Sequence, residues 1–415
     1  MSNTSGLKRR QVNALWEKAQ EALIPQSEFF ATINQGGATA LLGKYLEKGV
    51  LALSKPARAE MSFELMANQE YCTSNSLFFT FSHGSPPLVD IRNWILTIEG
   101  DGVENPLSMN YDDLLKLPST TVTRYLECAG NGRAFYAELL HKKAEGQQWR
   151  FGGYGIAEWT GVQFRELLKL AKIRDNAIDI MPVGLDSPSG ERPMPMAKAM
   201  EEDTILAYIM NGSILPPDHG FPLRAIVPGW IGAASIKWVS RIVISTQPIQ
   251  VVDNTDKYVL IGPDYPPQPP AKGSILTTQL VKSACCLPWP ATLHQGRQKI
   301  VGYAWSPFGT IAKVEVSING GKTFHLAALT GHNIERAGTR WEFSFDATPG
   351  VITITPRATD DKGNTQYEIA RQKWNQLGYL FGAMVPHPVT VSAHCCAEDT
   401  HPDYSLVIPP TSGCC

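Results

Sequence analysis

Apolar runs of two kinds alternate along the chain between residues 66 and 255. Runs rich in β-branched and aromatic residues, such as 94–98 (WILTI) and 121–126 (TVTRYL), predict short strands. Residues 114–117 and 164–170 instead have the apolar spacing of amphipathic helices. This alternation predicts a mixed α/β domain over residues 66–255.

The pattern changes after residues 256–280, a proline-rich segment with the composition of a connector. Beyond it, residues 319–321 (NGG) tolerate positive φ and predict a hairpin turn between two strands. Short strands with regular turns predict an immunoglobulin-like β-sandwich over residues 281–394. Period-two alternation recurs in residues 312–318, 341–345 and 351–355.

The two ends of the chain have a different character. Residues 1–65 predict a peripheral helical extension, and residues 395–415 predict a polar tail that contains cysteines. Residues 9–10 are a twin arginine, but Glu17 and Lys18 interrupt any apolar stretch of an export signal. A cytoplasmic location is therefore favoured, and a periplasmic one stays open if the natural start lies elsewhere.

Composition narrows the function classes. The chain has 415 residues, of which 43% are hydrophobic, and its formal net charge is -2. A near-neutral chain lacks the basic patch typical of nucleic-acid binding, and no stretch reaches the roughly 18 apolar residues of a membrane span. The eight cysteines are too sparse for a disulfide scaffold, and no Cys-x-x-Cys-His occurs, so no c-type haem is expected. Six of them form vicinal pairs whose role stays open: Cys285-Cys286, Cys395-Cys396 and Cys414-Cys415.

The segment 124–133 (RYLECAGNGR) is the strongest candidate for chemistry. A predicted strand brings Cys128 to its end, and Gly130 and Gly132 allow a ligand to approach the backbone. Arg133 would lower the pKa of the thiol and attract an anion. A thiolate in this position suits a soft metal; the alternative is a structural cysteine before a tight turn.

Two further segments carry candidate ligands. Residues 218–229 (DHGFPLRAIVPG) and the nearby Lys237 place one histidine and two cations around a β run, which indicates a wall for a phosphate-bearing cofactor. A capped strand with ordinary surface cations is the alternative. His83 follows an aromatic run in a predicted loop, where a structural histidine is the more common case.

Together these segments resemble the sulfite oxidase family of molybdopterin oxidoreductases. Residues 128–131 (CAGN) are similar to the family's molybdenum-ligand loop, and residues 219–224 (HGFPLR) with 227–229 (VPG) to its molybdopterin signature. Residues 314–323 are similar to its dimerisation domain. The resemblance covers about residues 70 to 395 and implies an α+β chain, with a sulfite-oxidase-type molybdopterin domain followed by the immunoglobulin-like sandwich.

The resemblance also implies a site. Cys128 would be the protein thiolate on molybdenum, and the dithiolene of one molybdopterin would supply further sulfurs. Arg133 and Tyr258 would be the catalytic side chains, and no haem is implied. The residues that would hold the pterin and its phosphate are Phe79, Thr80, His83, Asp186, His219, Arg224, Ser235, Ile236 and Lys237.

The implied activity is oxidation of sulfite or a related sulfur compound by oxo transfer, in a homodimer that passes electrons to a separate acceptor, for which a cytochrome is a candidate. Phe81 stands where sulfite oxidases usually carry an arginine, so we expect free sulfite to bind weakly, unless Phe81 only packs the pterin loop. Glu127 and residues 158–162 look closer to sulfane dehydrogenase subunits, which favours carrier-bound sulfur as an alternative substrate. Another oxo-transfer substrate also stays open. The rival of a different class is a non-catalytic binding protein, against which Cys128 and Arg133 argue.

Overall fold

The computed structural model describes residues 50–54, 58–83, 87, 89–186 and 190–393. The twin-arginine region and the cysteine-containing tail lie outside these described residues. Within them, no helix has the length and apolar character needed to cross a membrane.

The chain up to residue 275 contains fifteen strands and four helices among the described residues. The strands are β1 Val50–Ser54, β2 Arg58–Met61, β3 Thr80–Phe81, β4 Ile95–Glu99, β5 Leu107–Asn110, β6 Ser119–Glu127, β7 Tyr154–Gln163, β8 Asp179–Gly184, β9 Met194–Pro195, β10 Ile205–Met210, β11 Ser213–Ile214, β12 Arg224–Ile226, β13 Val239–Ser245, β14 Val259–Leu260 and β15 Ser274–Ile275. The α-helices are α1 Tyr111–Leu115, α2 Ala134–Glu138, α3 Phe164–Ala171 and α4 Met196–Ala199. Short 3₁₀ turns occur at Phe63–Asn68, Pro217–His219 and Gly232–Ala234, and a π turn at Asp253–Lys257.

These strands form three main sheets, ordered β1-β2-β3, β11-β10-β7-β6 with β12 paired to β10, and β5-β4-β13-β8-β9. Helix α3 confirms the prediction for residues 164–170, because its buried residues at i, i+3, i+4 and i+7 pack into a core that also contains residues of β4, β10 and β13. The predicted helix at 114–117 instead begins at Tyr111, where the Asn110 side chain accepts a hydrogen bond from the Asp113 N–H.

The remainder is a β-sandwich, as predicted. Its strands are β16 Lys282–Cys285, β17 Ala291–His294, β18 Gly296–Trp305, β19 Ile311–Ser317, β20 His325–Leu326, β21 Ala328–Ile334, β22 Gly338–Ala347, β23 Gly350–Asp360 and β24 His387–Ser392, with a 3₁₀ turn at Ile369–Arg371. One sheet has the order β16-β18-β22-β21 and the other β17-β24-β23-β19-β20. Gly320 and Gly321 take positive φ in the turn between β19 and β20, which confirms the predicted hairpin.

The prediction of a helical extension through residue 65 is wrong for residues 50–54 and 58–61, which form β1 and β2. Strand β1 pairs with β2, and β2 pairs antiparallel with β3, so that Arg58 faces Phe81. Met61 and Phe63 are buried, and the Phe63 ring lies 6.2 Å from that of Trp305 in the sandwich. The segment is extended because it finds a strand to pair with and apolar surface to cover, and these tertiary contacts override local helix propensity.

Candidate active site

Eleven of the twelve predicted site residues line one cleft beside the sandwich. These are Phe79, Thr80, His83, Cys128, Asp186, His219, Arg224, Ser235, Ile236, Lys237 and Tyr258. The twelfth, Arg133, lies behind the wall that carries Cys128. Residues far apart in sequence, such as His83 and Tyr258 at a separation of 175 positions, therefore converge on one place.

Strand β6 delivers Cys128 to the cleft. The Cys128 N–H donates to the carbonyl oxygen of Gly153 at 2.8 Å, and the Cys128 carbonyl accepts from the Asn131 N–H at 2.9 Å, which forms the turn. The side chain is partly exposed towards the cleft. Desolvation raises the pKa of the thiol above its usual value, and the positive charge of Arg133 opposes that shift. In the protein without a metal, desolvation thus outweighs the expected lowering of the thiol pKa by Arg133. A bound metal cation would favour the thiolate.

Arg133 is held by backbone carbonyls. Its Nε donates to Leu377 and its Nη1 to Gln147, each at 2.7 Å, and its guanidinium lies 5.2 Å from the centre of the Tyr379 ring. Only 5% of the residue is exposed, so it presents a fixed positive charge to the Cys128 loop rather than a side chain that lines the cleft.

Tyr258 and His83 form a polar pair in the cleft. The Tyr258 hydroxyl lies 2.9 Å from His83 Nε2, and the Tyr258 ring stacks on Tyr379 with 5.7 Å between centroids. Desolvation lowers the pKa of His83 to about 4, helped by the charges of Lys257, Arg58 and Lys237. The imidazole is therefore neutral at pH 7 and can accept the hydroxyl proton of Tyr258 in a hydrogen bond.

Two cations and a histidine line another part of the cleft. Arg224 donates to the His219 carbonyl at 3.1 Å, while Lys237 donates to Ser82 Oγ at 2.7 Å and to the Asp218 carbonyl at 2.9 Å. The acceptors of these bonds are uncharged, and desolvation lowers the pKa of Arg224 to about 9 and that of Lys237 to about 7. A negatively charged ligand would offset that cost, because a nearby anion favours both protonated forms.

Polar atoms without partners test whether a molybdopterin fits. Among the described residues, the buried Nε of Arg224 and the Oδ1 of Asp186 have no hydrogen-bond partner. A buried donor and a buried acceptor are both costly when unpaired. A ligand that combines phosphate oxygens with pterin N–H groups would satisfy both atoms, and the Cys128 thiol supplies a soft donor for a metal. The residues of this cleft therefore fit the cofactor.

Sequence reasoning missed several residues of the site. Ser82 and Asp218 also line the cleft. Each is next to a predicted site residue in the sequence, and this adjacency could have identified them. Gln279 donates to the Cys128 carbonyl oxygen at 3.2 Å, and Lys282 forms a salt bridge with Glu127 at 2.6 Å. Neither of these two residues belongs to a motif that would have marked it.

Two protein families match the chain. Residues 83–252 match the oxidoreductase molybdopterin binding domain, and residues 275–384 match the Mo-co oxidoreductase dimerisation domain. The fold, the cleft and these matches define a protein with an oxidoreductase-type molybdopterin-binding domain followed by a dimerisation-type domain.

Similarity to known proteins identifies the family to which the chain belongs. The mitochondrial sulfite oxidase of Mus musculus is 33% identical over 347 residues, which are 79% of this chain and 63% of that protein. The sulfite oxidase of Gallus gallus is 32% identical over 345 residues, which are 79% of this chain and 74% of that protein. The crystal structure of the sulfane dehydrogenase SoxCD from Paracoccus pantotrophus has a TM-score of 0.73 at 28% identity and covers 81% of this chain and 87% of its own. The chain belongs to the sulfite oxidase family, although it spans less than two thirds of the mouse relative's length.

Proposed function

We propose that this protein is a molybdenum-cofactor oxidoreductase that oxidises sulfite or a related sulfur compound and passes the electrons to a separate acceptor. The observation that carries the proposal is the presence in one cleft of a partly exposed thiol, Cys128, and a buried cation, Arg224, whose Nε–H has no partner within the described part of the chain. A non-catalytic binding protein would have no use for a thiol in that position. The similarity to sulfite oxidases and to SoxCD supports the reaction class.

Each side chain has a role that follows from its contacts. Arg224 and Lys237 would hold the phosphate of the cofactor, and Asp186 would accept a hydrogen bond from its pterin. The bound molybdenum supplies two-electron oxo-transfer chemistry. Arg133 provides the fixed positive charge that attracts an anionic substrate towards Cys128. Tyr258 holds a proton at its hydroxyl, and it can donate that proton to a substrate oxygen when neutral His83 instead donates its Nε2–H to the Tyr258 oxygen.

The position of Phe81 in the cleft bears on which sulfur compound is the substrate. Phe81 lines the cleft, and its ring lies 5.0 Å from that of His83. Arg58 lies over the Phe81 ring, with 4.7 Å between its guanidinium carbon and the ring centre. This cation is not among the residues that line the cleft. The cleft therefore presents an aromatic ring at this position, which favours a larger or less charged sulfur substrate, including sulfur bound to a carrier, over free sulfite.

The substitution Phe81→Arg tests this assignment. Losing one cation from a buried, hydrogen-bonded anion site costs about 2–5 kcal/mol, which at about 1.4 kcal/mol per decade is at least tenfold in affinity. The variant should therefore show a KM for sulfite at least tenfold lower than the wild type, with unchanged molybdenum content, when assayed with an artificial electron acceptor. Arg58→Met is the matched control and should leave the KM for sulfite unchanged.

A raised KM for sulfite in both variants would instead identify free sulfite as the substrate. If Phe81→Arg raises the KM for sulfite and Arg58→Met raises it as well, then Arg58 serves free sulfite in this protein. Phe81 would in that case only pack the loop that carries His83.

We also propose the partners of the reaction. The match of residues 275–384 to a dimerisation domain supports a homodimer, and the likeness to the sulfane dehydrogenase SoxCD supports a second protein as the electron acceptor. A cytochrome is the acceptor we propose. Catalysis in the cytoplasm stays a prediction from the sequence.

A further inference from the structure

The loop that carries Cys128 is fastened by an ion pair that crosses between the two domains. Glu127 is the last residue of β6 and Lys282 is the first residue of β16 in the sandwich, 155 positions later. Lys282 Nζ lies 2.6 Å from Glu127 Oε1, and the two side chains are 1% and 0% exposed. In a pair so fully removed from water, each charge depends on the other, because a buried charge without its partner is strongly destabilising.

Further hydrogen bonds close this network around Cys128. The Glu127 carboxylate also accepts from Asn131 Nδ2 at 2.9 Å and from Trp305 Nε1 at 3.0 Å. Lys282 donates a second bond, at 3.0 Å, to the backbone carbonyl of Asn131. Both oxygens of the carboxylate are therefore occupied. One lysine binds Glu127, which precedes the turn that begins at Cys128, and Asn131, which ends it.

The backbone on either side of the thiol is tied to the second domain as well. Gln279 Nε2 donates to the carbonyl oxygens of Glu127 at 3.0 Å and of Cys128 at 3.2 Å. Gln279, Lys282 and Trp305 all lie within the stretch that matches the dimerisation domain. The molybdopterin-domain match ends at residue 252, so these three contacts come from outside it.

We propose that the sandwich domain positions the metal-binding thiol, with Lys282 as the positioning residue that acts through Glu127 and Asn131. The domain then has a role within each chain that is separate from any role in joining two chains. The physical reason is that a buried carboxylate without its cation is strongly destabilised, so loss of Lys282 forces Glu127 and the adjoining turn to move. The inference rests on the proposed function only in taking Cys128 as the metal ligand.

The test compares three variants of the full chain as purified. Lys282→Met breaks the pair, and Glu127→Gln with Lys282→Met removes both charges while keeping an amide that can accept from Trp305. Lys198→Met is the matched control, because Lys198 is 7% exposed, pairs with Glu201 at 2.6 Å and donates to the Pro228 carbonyl at 2.8 Å, and none of these residues belongs to the Cys128 loop. Amide hydrogen exchange and the visible thiolate-to-metal absorption band are recorded for each variant.

A positioning role predicts a local effect. In Lys282→Met the amides of residues 129–133 should exchange at least about tenfold faster than in the wild type, with amides of β23 changed less, and the thiolate-to-metal band should shift. The double variant should recover most of the exchange protection, because no unpaired buried charge remains. In Lys198→Met, the loop amides and the band should match the wild type.

A purely structural role predicts a different pattern, which would overturn the inference. In that case Lys282→Met would lower the melting temperature while the loop amides and the absorption band stayed as in Lys198→Met. Absence of molybdenum from the wild type would contradict the proposed function instead. The exchange data for the loop would remain interpretable, so the two failures are distinguishable.

Discussion

Desolvation governs the charges of individual side chains around the cleft. It lowers the pKa of Arg224 to about 9, that of Lys237 to about 7 and that of His83 to about 4. A phosphate would reverse the shifts of Arg224 and Lys237, because a neighbouring negative charge favours their protonated forms. His83 remains neutral, so it serves as a hydrogen-bond partner of Tyr258 without adding positive charge to the cleft.

Glu60 provides a test of the same physics away from the cleft. It is 4% exposed, and burial raises the pKa of its carboxyl group from 4.5 to about 7, although it accepts hydrogen bonds from the Arg150 and Gly152 N–H groups. The folded state therefore binds this proton more tightly than the unfolded state. The resulting stabilisation is complete below pH 4.5 and is lost as the pH rises through about 7.

The substitution Glu60→Gln removes this titration. The free energy of unfolding of the variant, relative to that of the wild type, should rise by about 3 kcal/mol between pH 4.5 and pH 8, from about 1.4 kcal/mol per unit of pKa. Urea unfolding at several pH values measures it. A difference between the two proteins that does not change with pH would show that burial does not shift this carboxyl group.

At the residue level, sequence predicts what local pattern encodes. Cys128 could be placed at a strand end because a β run precedes it and glycines follow it. Lys282 could not be paired with Glu127, since a lysine in an alternating run is normally exposed and nothing local specifies a partner 155 positions away. The same limit applies to Gln279 and to the burial of Glu60.

At the scale of elements, the predictions succeeded where local patterning agreed with the tertiary environment. Helix α3 has an apolar face that packs into the core. The two glycines between β19 and β20 allow the positive φ values that their hairpin turn requires. The prediction is wrong for residues 50–54 and 58–61, because their strands exist only through pairing with β3 and packing on the sandwich. Residues 256–280 have the composition of a connector, but they also form β14 and β15 and include the predicted site residue Tyr258, which lines the cleft.

The segment from Pro217 to Lys237 makes a prediction at this scale. It turns through two 3₁₀ segments and strand β12 to place Arg224 and Lys237 in the cleft together. Arg224→Ala should lower cofactor affinity at least tenfold, since one buried charge contact is worth about 2–5 kcal/mol. Pterin and molybdenum per chain, measured after dialysis, report the loss.

Arg241→Ala on the neighbouring strand β13 is the control. Arg241 is paired with Glu99 at the surface, where its side chain is 45% exposed. Cofactor content should be unchanged in this variant. Equal loss of pterin in the two variants would mean that Arg224 has no specific part in cofactor binding.

At the scale of the whole molecule, the two domains share the site. The first supplies the thiol and the cations, and the second supplies Tyr379, on which Tyr258 stacks, together with the contacts to Glu127. The sandwich therefore contributes directly to the geometry of the site. It also means that a separated first domain should lack a properly held thiol.

A homodimer is the prediction for assembly. The sandwich sheets end in the edge strands β20 and β21, whose unpaired backbone groups are commonly covered by a partner. Light scattering at micromolar concentration should give a species of twice the 45.6 kDa of one chain. A single species at 45.6 kDa would contradict the dimer.

Ligation of molybdenum by Cys128 is the central claim, and X-ray absorption at the metal tests it most directly. The spectrum of the purified wild type should show sulfur ligands at bonding distance, and that of Cys128→Ser should show one sulfur fewer, with the fold intact and turnover lost. The reason is that an alkoxide oxygen is a poor replacement for the soft thiolate donor. The same number of sulfur ligands in both proteins, or full turnover in the variant, would contradict the account.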